Sequence, residues 1–218
     1  MSIEGLRLKI RNAYIKNTAD VRRKAINNTD FTIISNNCWG GVVYESYNLE
    51  KKTPTVGMYF APEDYLRFIA NLEYYINECD IQFVAPDKAT NKILYMQDNT
   101  FGKYPIAKLD NVEIAMLHYR SEEEAAAKWK RRCSRICWDN LIIKMNDQNG
   151  CTLVDMEAFL KTPIRCKRKL FFTTKKEWKK EHAETIYIPQ FRKSSVYASL
   201  EPFGASSRCN INKLINQL

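Results

Sequence analysis

The chain has 218 residues, of which 45% are hydrophobic and 12% aromatic, a composition typical of a globular protein that excludes a fibrous or disordered one. Lys and Arg number 34 against 25 Asp and Glu, and the resulting net charge of +9 favours phosphate-bearing or other anionic ligands. Seven scattered cysteines, with no apolar stretch long enough to cross a bilayer, predict a cytoplasmic protein without disulfides, peripheral to the inner membrane face if it meets a membrane.

The first half of the chain predicts helices and strands in alternation. Polar residues at 27–30 and a proline at position 54 separate the early elements, and Pro62 followed by two acidic residues is a well-formed helix start. The predicted helices cover residues 6–26, 42–49 and 62–79, and the predicted strands cover residues 31–34, 56–60, 81–84, 93–96 and 112–117.

The second half continues the alternation. Ser121 and Glu124 form a capping box that begins a helix extending to residue 135. The further predicted helices cover residues 152–162 and 175–183, and the predicted strands cover residues 141–145, 170–172 and 185–188. This order predicts an α/β fold, a mostly parallel sheet with helices on both faces in three layers. We expect a single domain over residues 1–218, with residues 190–218 as a C-terminal appendage.

Polar residues follow several of the predicted strands. Because ligands of parallel α/β sheets bind beyond the carboxyl ends of the strands, these residues are predicted to share one rim and to bind a ligand. The predicted ligand-binding residues are Asn36, Asn37, Trp39, Gly40, Gly41, Tyr119, Asn146, Thr173 and Thr174. The two threonines precede a predicted helix whose N-terminus would hold a phosphate.

Three residues on this rim form a candidate catalytic set. Cys38 would be the nucleophile, His118 the base that accepts its proton, and Asp147 the carboxylate that orients the imidazole, a role also open to Asp139 or Asp110. The alternative is an inert buried cysteine with a structural histidine, and the expected position at a strand end makes the two interpretations about equal. His182 lies in a run of Lys and Glu and is predicted to be solvated.

Other chemistry lacks its sequence signature. No Gly-rich dinucleotide or phosphate-binding loop, no zinc-protease motif and no serine-hydrolase motif occurs. Cys133 and Cys137 have no second Cys/His pair at zinc spacing, so we interpret them as helix positions and predict no metal site. The basic residues at 128–135 suit the end of a helix, and nucleic acid is not an expected partner.

Several separated motifs, in the same order, resemble a bacterial family of unknown function whose members are commonly labelled exopolysaccharide biosynthesis proteins. The resemblance covers roughly residues 20 to 200 and rests on residues 33–41 (IISNNCWGG), 53–57 (TPTVG), 104–106 (YPI), 117–119 (LHY), 121–125 (SEEEA), 129–132 (WKRR) and 138–141 (WDNL). It implies an α/β fold and a setting in capsule or surface-polysaccharide synthesis. It implies no particular reaction and no catalytic residues.

The leading hypothesis is therefore a transferase that acts on a surface polysaccharide or its activated sugar precursor. Acyl transfer is favoured, with Cys38 and His118 at the reaction centre, Asn36 or Asn37 steadying the oxyanion, and coenzyme A as donor. The alternatives are a metal-independent glycosyl or phosphosugar transferase that uses a nucleotide sugar, and a non-catalytic protein that binds an anionic polysaccharide during assembly. The sequence leaves the donor, the sugar and the oligomeric state open.

Overall fold

A computed structural model describes residues 3–179, 184–191 and 194–218. Within these ranges the strands are β1 (Thr32–Ser35), β2 (Gln82–Val84), β3 (Ile106–Leu109), β4 (Val112–Ala115), β5 (Leu141–Asn146), β6 (Arg168–Thr173) and β7 (Thr185–Tyr187). The helices are α1 (Ile3–Asn17), α2 (Ala19–Arg23), α3 (Trp39–Ser46), α4 (Pro62–Ala70), α5 (Leu72–Asn77), α6 (Lys92–Tyr95), α7 (Glu122–Cys133), α8 (Leu153–Lys161) and α9 (Ile211–Asn216). Short 3-10 turns cover Pro86–Lys88, Trp138–Asn140, Lys176–Trp178 and Ala198–Leu200.

Four strands form a parallel sheet in the order β1-β5-β6-β7. β5 lies inside this sheet and pairs with β1 from Leu141 opposite Thr32, and with β6 from Ile142 opposite Arg168. Every residue of β1 and β5 is buried. Both side-chain directions of the inner strand β5 meet protein, and the edge strand β1 is covered by residues 52–55, since the amide of Ser35 donates to Thr55 Oγ1 at 3.1 Å and Thr32 Oγ1 donates to the carbonyl of Lys52 at 2.7 Å. The short β-branched runs in the sequence are the consequence of that double burial.

Alternate residues of the parallel strands pack against two different sets of helices. One face, which includes Ile143 and Phe171, packs against α4, α5, α7 and α8. The opposite face, which includes Ile142 and Phe172, packs against α3 and α9. The predicted three-layer α/β fold is confirmed. In the part of the chain that the structure describes, no helix combines the length and apolar character needed to cross a bilayer.

A second, antiparallel sheet in the order β2-β3-β4 joins the first through a shared core. β3 and β4 are linked by a tight turn at Asp110, whose φ is 50°. Ala107 and Ile114 belong to the same apolar cluster as the helices on one face of the parallel sheet. His118 therefore follows β4 of the antiparallel sheet. Its predicted place on the rim required it to follow a strand of the parallel sheet.

Several predicted elements differ in the structure. Residues 56–60 form no strand: Val56 and Gly57 lie in a bend and Tyr59 makes a single bridge to Ala115, because the left-handed φ of Gly57 interrupts the extended backbone. Residues 93–95 belong to α6 and Met96 follows it, since so short an apolar run fits a helix as well as a strand. Cys137 lies beyond the end of α7. The predicted helix over 175–183 begins as a 3-10 turn, and residues 180–183, with His182, lie outside the described residues.

Tyr65 joins β1 to β5 near the carboxyl ends of both strands. Its hydroxyl oxygen lies 2.9 Å from the carbonyl oxygen of Ile34 and 2.8 Å from that of Lys144, so its one proton is shared between the two acceptors. Tyr65→Phe should lower the free energy of unfolding by about 1–2 kcal/mol, because both carbonyls lose a buried donor. Urea unfolding measures the change. Tyr14→Phe, at an exposed ring, is the control and should change stability by less than about 0.5 kcal/mol; equal effects of the two substitutions would contradict the assignment.

Candidate functional site

The turn after β1 is held by its own polar side chains. Ser35 Oγ donates to the carbonyl of Asn37 at 2.6 Å and accepts from the amide of Gly40 at 3.2 Å. Asn37 Oδ1 accepts from the amide of Trp39 at 3.1 Å, which satisfies a free N–H in the first turn of α3. A Cβ at Gly40 would lie 3.2 Å from Ile33, so this glycine serves the close packing of α3 on β1.

A buried ion pair lies behind this turn. The Lys144 side chain in β5 has no solvent exposure, and its Nζ lies 2.5 Å from Oε1 of the buried Glu201. The ammonium also donates to Asn37 Oδ1 at 2.9 Å and lies 5.2 Å from the ring centre of Phe172. Burial lowers the pKa of Lys144, and the attraction of Glu201 opposes that shift. The pair ties the C-terminal segment to β5.

Amide side chains surround the same carboxylate. Oε1 of Glu201 also accepts from Nδ2 of Asn146 at 2.9 Å and from Nδ2 of Asn37 at 3.1 Å. Oδ1 of Asn146 accepts in turn from Asn36 at 3.0 Å. We call these five residues, Lys144 included, the carboxylate cluster. Three residues predicted to bind a ligand, Asn36, Asn37 and Asn146, thus donate or accept hydrogen bonds within the protein.

A cavity of about 970 Å³ opens beside the carboxylate cluster at the carboxyl edge of the parallel sheet. We call it the edge cavity. Its wall combines the turn after β1, the loop after β5, the chain after β4, α1 and the segment that leads to Glu201. The polar residues of this wall are Arg11, Asn12, Asn37, Cys38, Trp39, Tyr59, Gln97, Asp98, His118, Asp147, Gln148, Asn149, Lys175, Ser194, Ser195 and Glu201. The structure therefore brings Cys38, His118 and Asp147 to one cavity.

Cys38 is not paired with an imidazole in this structure. Its thiol donates to the carbonyl of Met58 at 3.6 Å, and among the described residues no hydrogen bond joins it to His118. Burial, with a smaller contribution from the negative charge of Glu201, raises the pKa of the thiol to about 11. The thiol is therefore protonated at neutral pH, and a protonated thiol is a weak nucleophile.

His118 is positioned by a glycine. Its backbone N–H donates to the carbonyl of Gly57 at 2.9 Å. Gly57 has a φ of 72°, and a Cβ there would lie 3.2 Å from the Cβ of His118, so a larger residue would be strained and would press on the histidine. His118 is exposed at the wall of the edge cavity, and its imidazole makes no hydrogen bond within the described ranges, which leaves both nitrogens available to a ligand.

The carboxylate of Asp147 accepts hydrogen bonds from the protein around it. Its Oδ2 accepts from the amide of Thr174 at 2.8 Å and from the hydroxyl of Thr173 at 3.0 Å, and its Oδ1 accepts from the amide of Val196 at 2.7 Å. The carboxylate joins the ends of β5 and β6 to the C-terminal segment. No hydrogen bond to His118 is present in the described part of the chain, nor do three His, Cys, Asp or Glu side chains there converge to hold a metal.

The remaining predicted ligand-binding residues occupy different surroundings. Trp39 lines the edge cavity, and its Nε1 donates to the carbonyl of Pro202 at 2.8 Å. The buried hydroxyl of Tyr119 donates to the carbonyl of Val56 at 2.5 Å. A Cβ at Gly41 would lie 3.0 Å from Val56, so this glycine also allows close packing.

Three charged residues of the site, Arg11, Lys144 and Glu201, were not predicted. The sequence around Lys144 did indicate a buried ion pair, since a single cation inside a mostly apolar buried strand needs a partner. No local pattern identified Glu201 as that partner, because it lies in an irregular segment 57 residues away from Lys144. Arg11 is buried, and its Nη2 donates to the backbone carbonyl of Glu201 at 3.0 Å. The sequence could not indicate this contact, because only the folded chain brings the two residues together.

The raised pKa of Cys38 predicts slow alkylation of the native protein. At pH 8, a pKa of about 11 leaves roughly one thiol in a thousand as thiolate. Labelling of Cys38 by iodoacetamide should therefore be on the order of a hundredfold slower than in the chain unfolded in denaturant, and should rise as the pH approaches 11. Peptide mass spectrometry measures both rates. Native Cys38 that reacts as fast as the unfolded thiol would contradict this environment.

A match to a family model identifies the family to which this chain belongs. Residues 9–217 match the family described as Domain of unknown function (DUF1919). A Haemophilus influenzae protein, described as an uncharacterized protein, is 34% identical over 153 residues. That match covers 70% of this chain and 66% of the relative, so it spans just under two thirds of the relative's length. The surface-polysaccharide setting stays a prediction. The chain belongs to the DUF1919 family of unknown function over nearly its whole length.

Proposed function

We propose that the protein is a transferase that binds a phosphate-bearing sugar, the activated precursor of a surface polysaccharide, in the edge cavity. One observation carries the proposal: Arg11 and Lys175 both line this cavity, and neither forms an ion pair with a carboxylate among the described residues. Cations that the protein leaves unpaired in a cavity wall favour an anionic ligand.

Both cations are held in place by aromatic rings. The guanidinium of Arg11 lies 5.0 Å from the ring centre of Phe203 and donates to a backbone carbonyl. The ammonium of Lys175 lies 3.6 Å from the ring centre of Trp178. Cation–π contacts restrain the side chains without neutralising them. A phosphate would therefore meet two partly ordered charges, which lowers the entropy lost on binding.

The rest of the wall suits a polyhydroxylated ligand. Asn12 and Gln97 line the edge cavity, and their side-chain amides make no hydrogen bond in the described part of the chain. An amide both donates and accepts, as a sugar hydroxyl does. Tyr59 adds an aromatic ring to the same wall. A few convergent polar groups beside an aromatic ring are typical of a small-molecule site.

His118 is the proposed general base. An acceptor hydroxyl would transfer its proton to the imidazole as its oxygen bonds to the transferred group, while the bond to the leaving phosphate breaks. Arg11 and Lys175 would stabilise the charge that develops on that phosphate. This is the metal-independent glycosyl or phosphosugar transfer that the sequence left as an alternative, and it uses no thiolate.

Acyl transfer is the second candidate, since Cys38 and His118 line the same cavity. A coenzyme A donor would place its phosphates near the same cations. The raised pKa of Cys38 weighs against an acyl-cysteine intermediate. Cys38→Ser separates the two mechanisms, because direct transfer should survive this substitution and transfer through the thiol should not.

Lys175, which lines the cavity without a carboxylate partner among the described residues, predicts that a phosphate-bearing ligand stabilises the protein against thermal unfolding. A nucleotide sugar or sugar 1-phosphate that binds should stabilise the protein by about 2.7 kcal/mol at a hundred times its Kd. Lys175→Gln should raise the Kd of that ligand by about tenfold, because a charge-assisted hydrogen bond is lost. Lys176→Gln is the matched control, since the neighbouring lysine is exposed and lies outside the cavity wall.

Three further results test these candidates. With an identified donor, His118→Asn should keep binding and lose transfer, as expected of a base. Stabilisation by coenzyme A alone would favour the acyl candidate. An absence of any shift from nucleotide sugars, sugar phosphates or coenzyme A, together with salt-sensitive binding of anionic polymer, would overturn the transferase proposal in favour of a non-catalytic assembly protein.

A further inference from the structure

The outer face of α1 carries a stripe of exposed apolar side chains. Ile3 is 76% exposed, Leu6 47%, Ile10 62% and Tyr14 57%. Their spacing of three or four residues places them on one side of the helix. The opposite side packs inward, where Arg11 and Ile15 are buried. We call the four exposed residues the α1 stripe.

Basic residues accompany the α1 stripe. Arg7, Lys9 and Lys16 are exposed, and none forms an ion pair within the described ranges. The one acidic residue of α1, Glu4, faces the protein, where its carboxylate accepts from the hydroxyl of Ser199 at 2.8 Å and from its amide at 3.2 Å. The solvent side of α1 therefore combines apolar and positively charged groups without a negative charge.

We propose that α1 docks on the surface of a bilayer that contains anionic phospholipid. The α1 stripe enters the boundary between headgroups and acyl chains, and the three basic side chains meet lipid phosphates. A second copy of the chain is a poorer occupant, because a symmetric pairing of two such helices brings their like charges together. Charge complementarity thus favours the anionic lipid surface.

This docking does not depend on which reaction the edge cavity supports. The side of α1 turned away from the stripe contributes Leu8, Arg11 and Asn12 to the cavity wall. A docked helix therefore brings the edge cavity close to the headgroup layer.

Vesicle flotation of the full chain tests the proposal. Vesicles of equal parts phosphatidylglycerol and phosphatidylcholine should carry the protein upward, and phosphatidylcholine vesicles should carry much less. Ile10→Glu should lower the partition coefficient by about tenfold or more, because an apolar contact is replaced by a charge that lipid phosphates repel. Ile93→Glu is the matched control, since Ile93 is 84% exposed on α6; it should bind as the unaltered chain does.

The outcomes are distinct. Lys9→Gln with Lys16→Gln should weaken binding and reduce its salt dependence. Equal binding of the Ile10 and Ile93 variants would overturn the proposal and indicate adsorption by net charge alone. A dimer in light scattering that Ile10→Glu converts to a monomer, without vesicle binding, would assign the stripe to a second copy. Since both substituted positions are exposed, circular dichroism should show both variants folded.

Discussion

The site depends on the buried ion pair between Lys144 and Glu201. A lone ammonium inside the parallel sheet would be costly, and so would a lone carboxylate, so each charge requires the other in place. Lys144 is fixed in β5, whereas Glu201 reaches it on an irregular segment for which the described residues show no pairing with the parallel sheet. The ion pair is the charged contact of this segment with the sheet, and with the bonds from Val196 to Asp147 and from Trp39 to Pro202 it holds the segment as one wall of the edge cavity.

The same interaction shapes the chemistry of the cavity. The carboxylate of Glu201 is occupied by Lys144 and two amides, which leaves Arg11 beside its backbone carbonyl and not in an ion pair. Its charge also adds to the effect of burial on Cys38 and keeps that thiol protonated. One buried carboxylate thus favours an unpaired cation and disfavours a thiolate in the same cavity. This balance is the reason for preferring direct transfer from a phosphate-bearing sugar over transfer through an acyl-cysteine.

Local patterns in the sequence predicted much of the fold. The short apolar runs at β1 and β5, the Ser121 cap of α7 and the Pro62 start of α4 depend on neighbouring residues, and the structure agrees with each. The predicted capping box of α7 is only half formed, because the carboxylate of Glu124 accepts from the amide of Arg120 and not from that of Ser121. Interactions between distant residues were not accessible. His118 reaches the edge cavity from the antiparallel sheet because Gly57 positions it, and Glu201 finds Lys144 across 57 residues. The apolar run at α6 had no periodicity long enough to distinguish helix from strand.

A double-mutant cycle on Lys144→Met and Glu201→Gln, measured by urea unfolding, tests the central claim most directly. Each single substitution should lower the free energy of unfolding by about 3–5 kcal/mol, because it leaves one buried charge without its partner. The double variant should lose much less than the two single losses together, since no unpaired charge remains. Single losses below about 1 kcal/mol, or losses that simply add, would contradict the claim that this pair positions the C-terminal wall of the cavity.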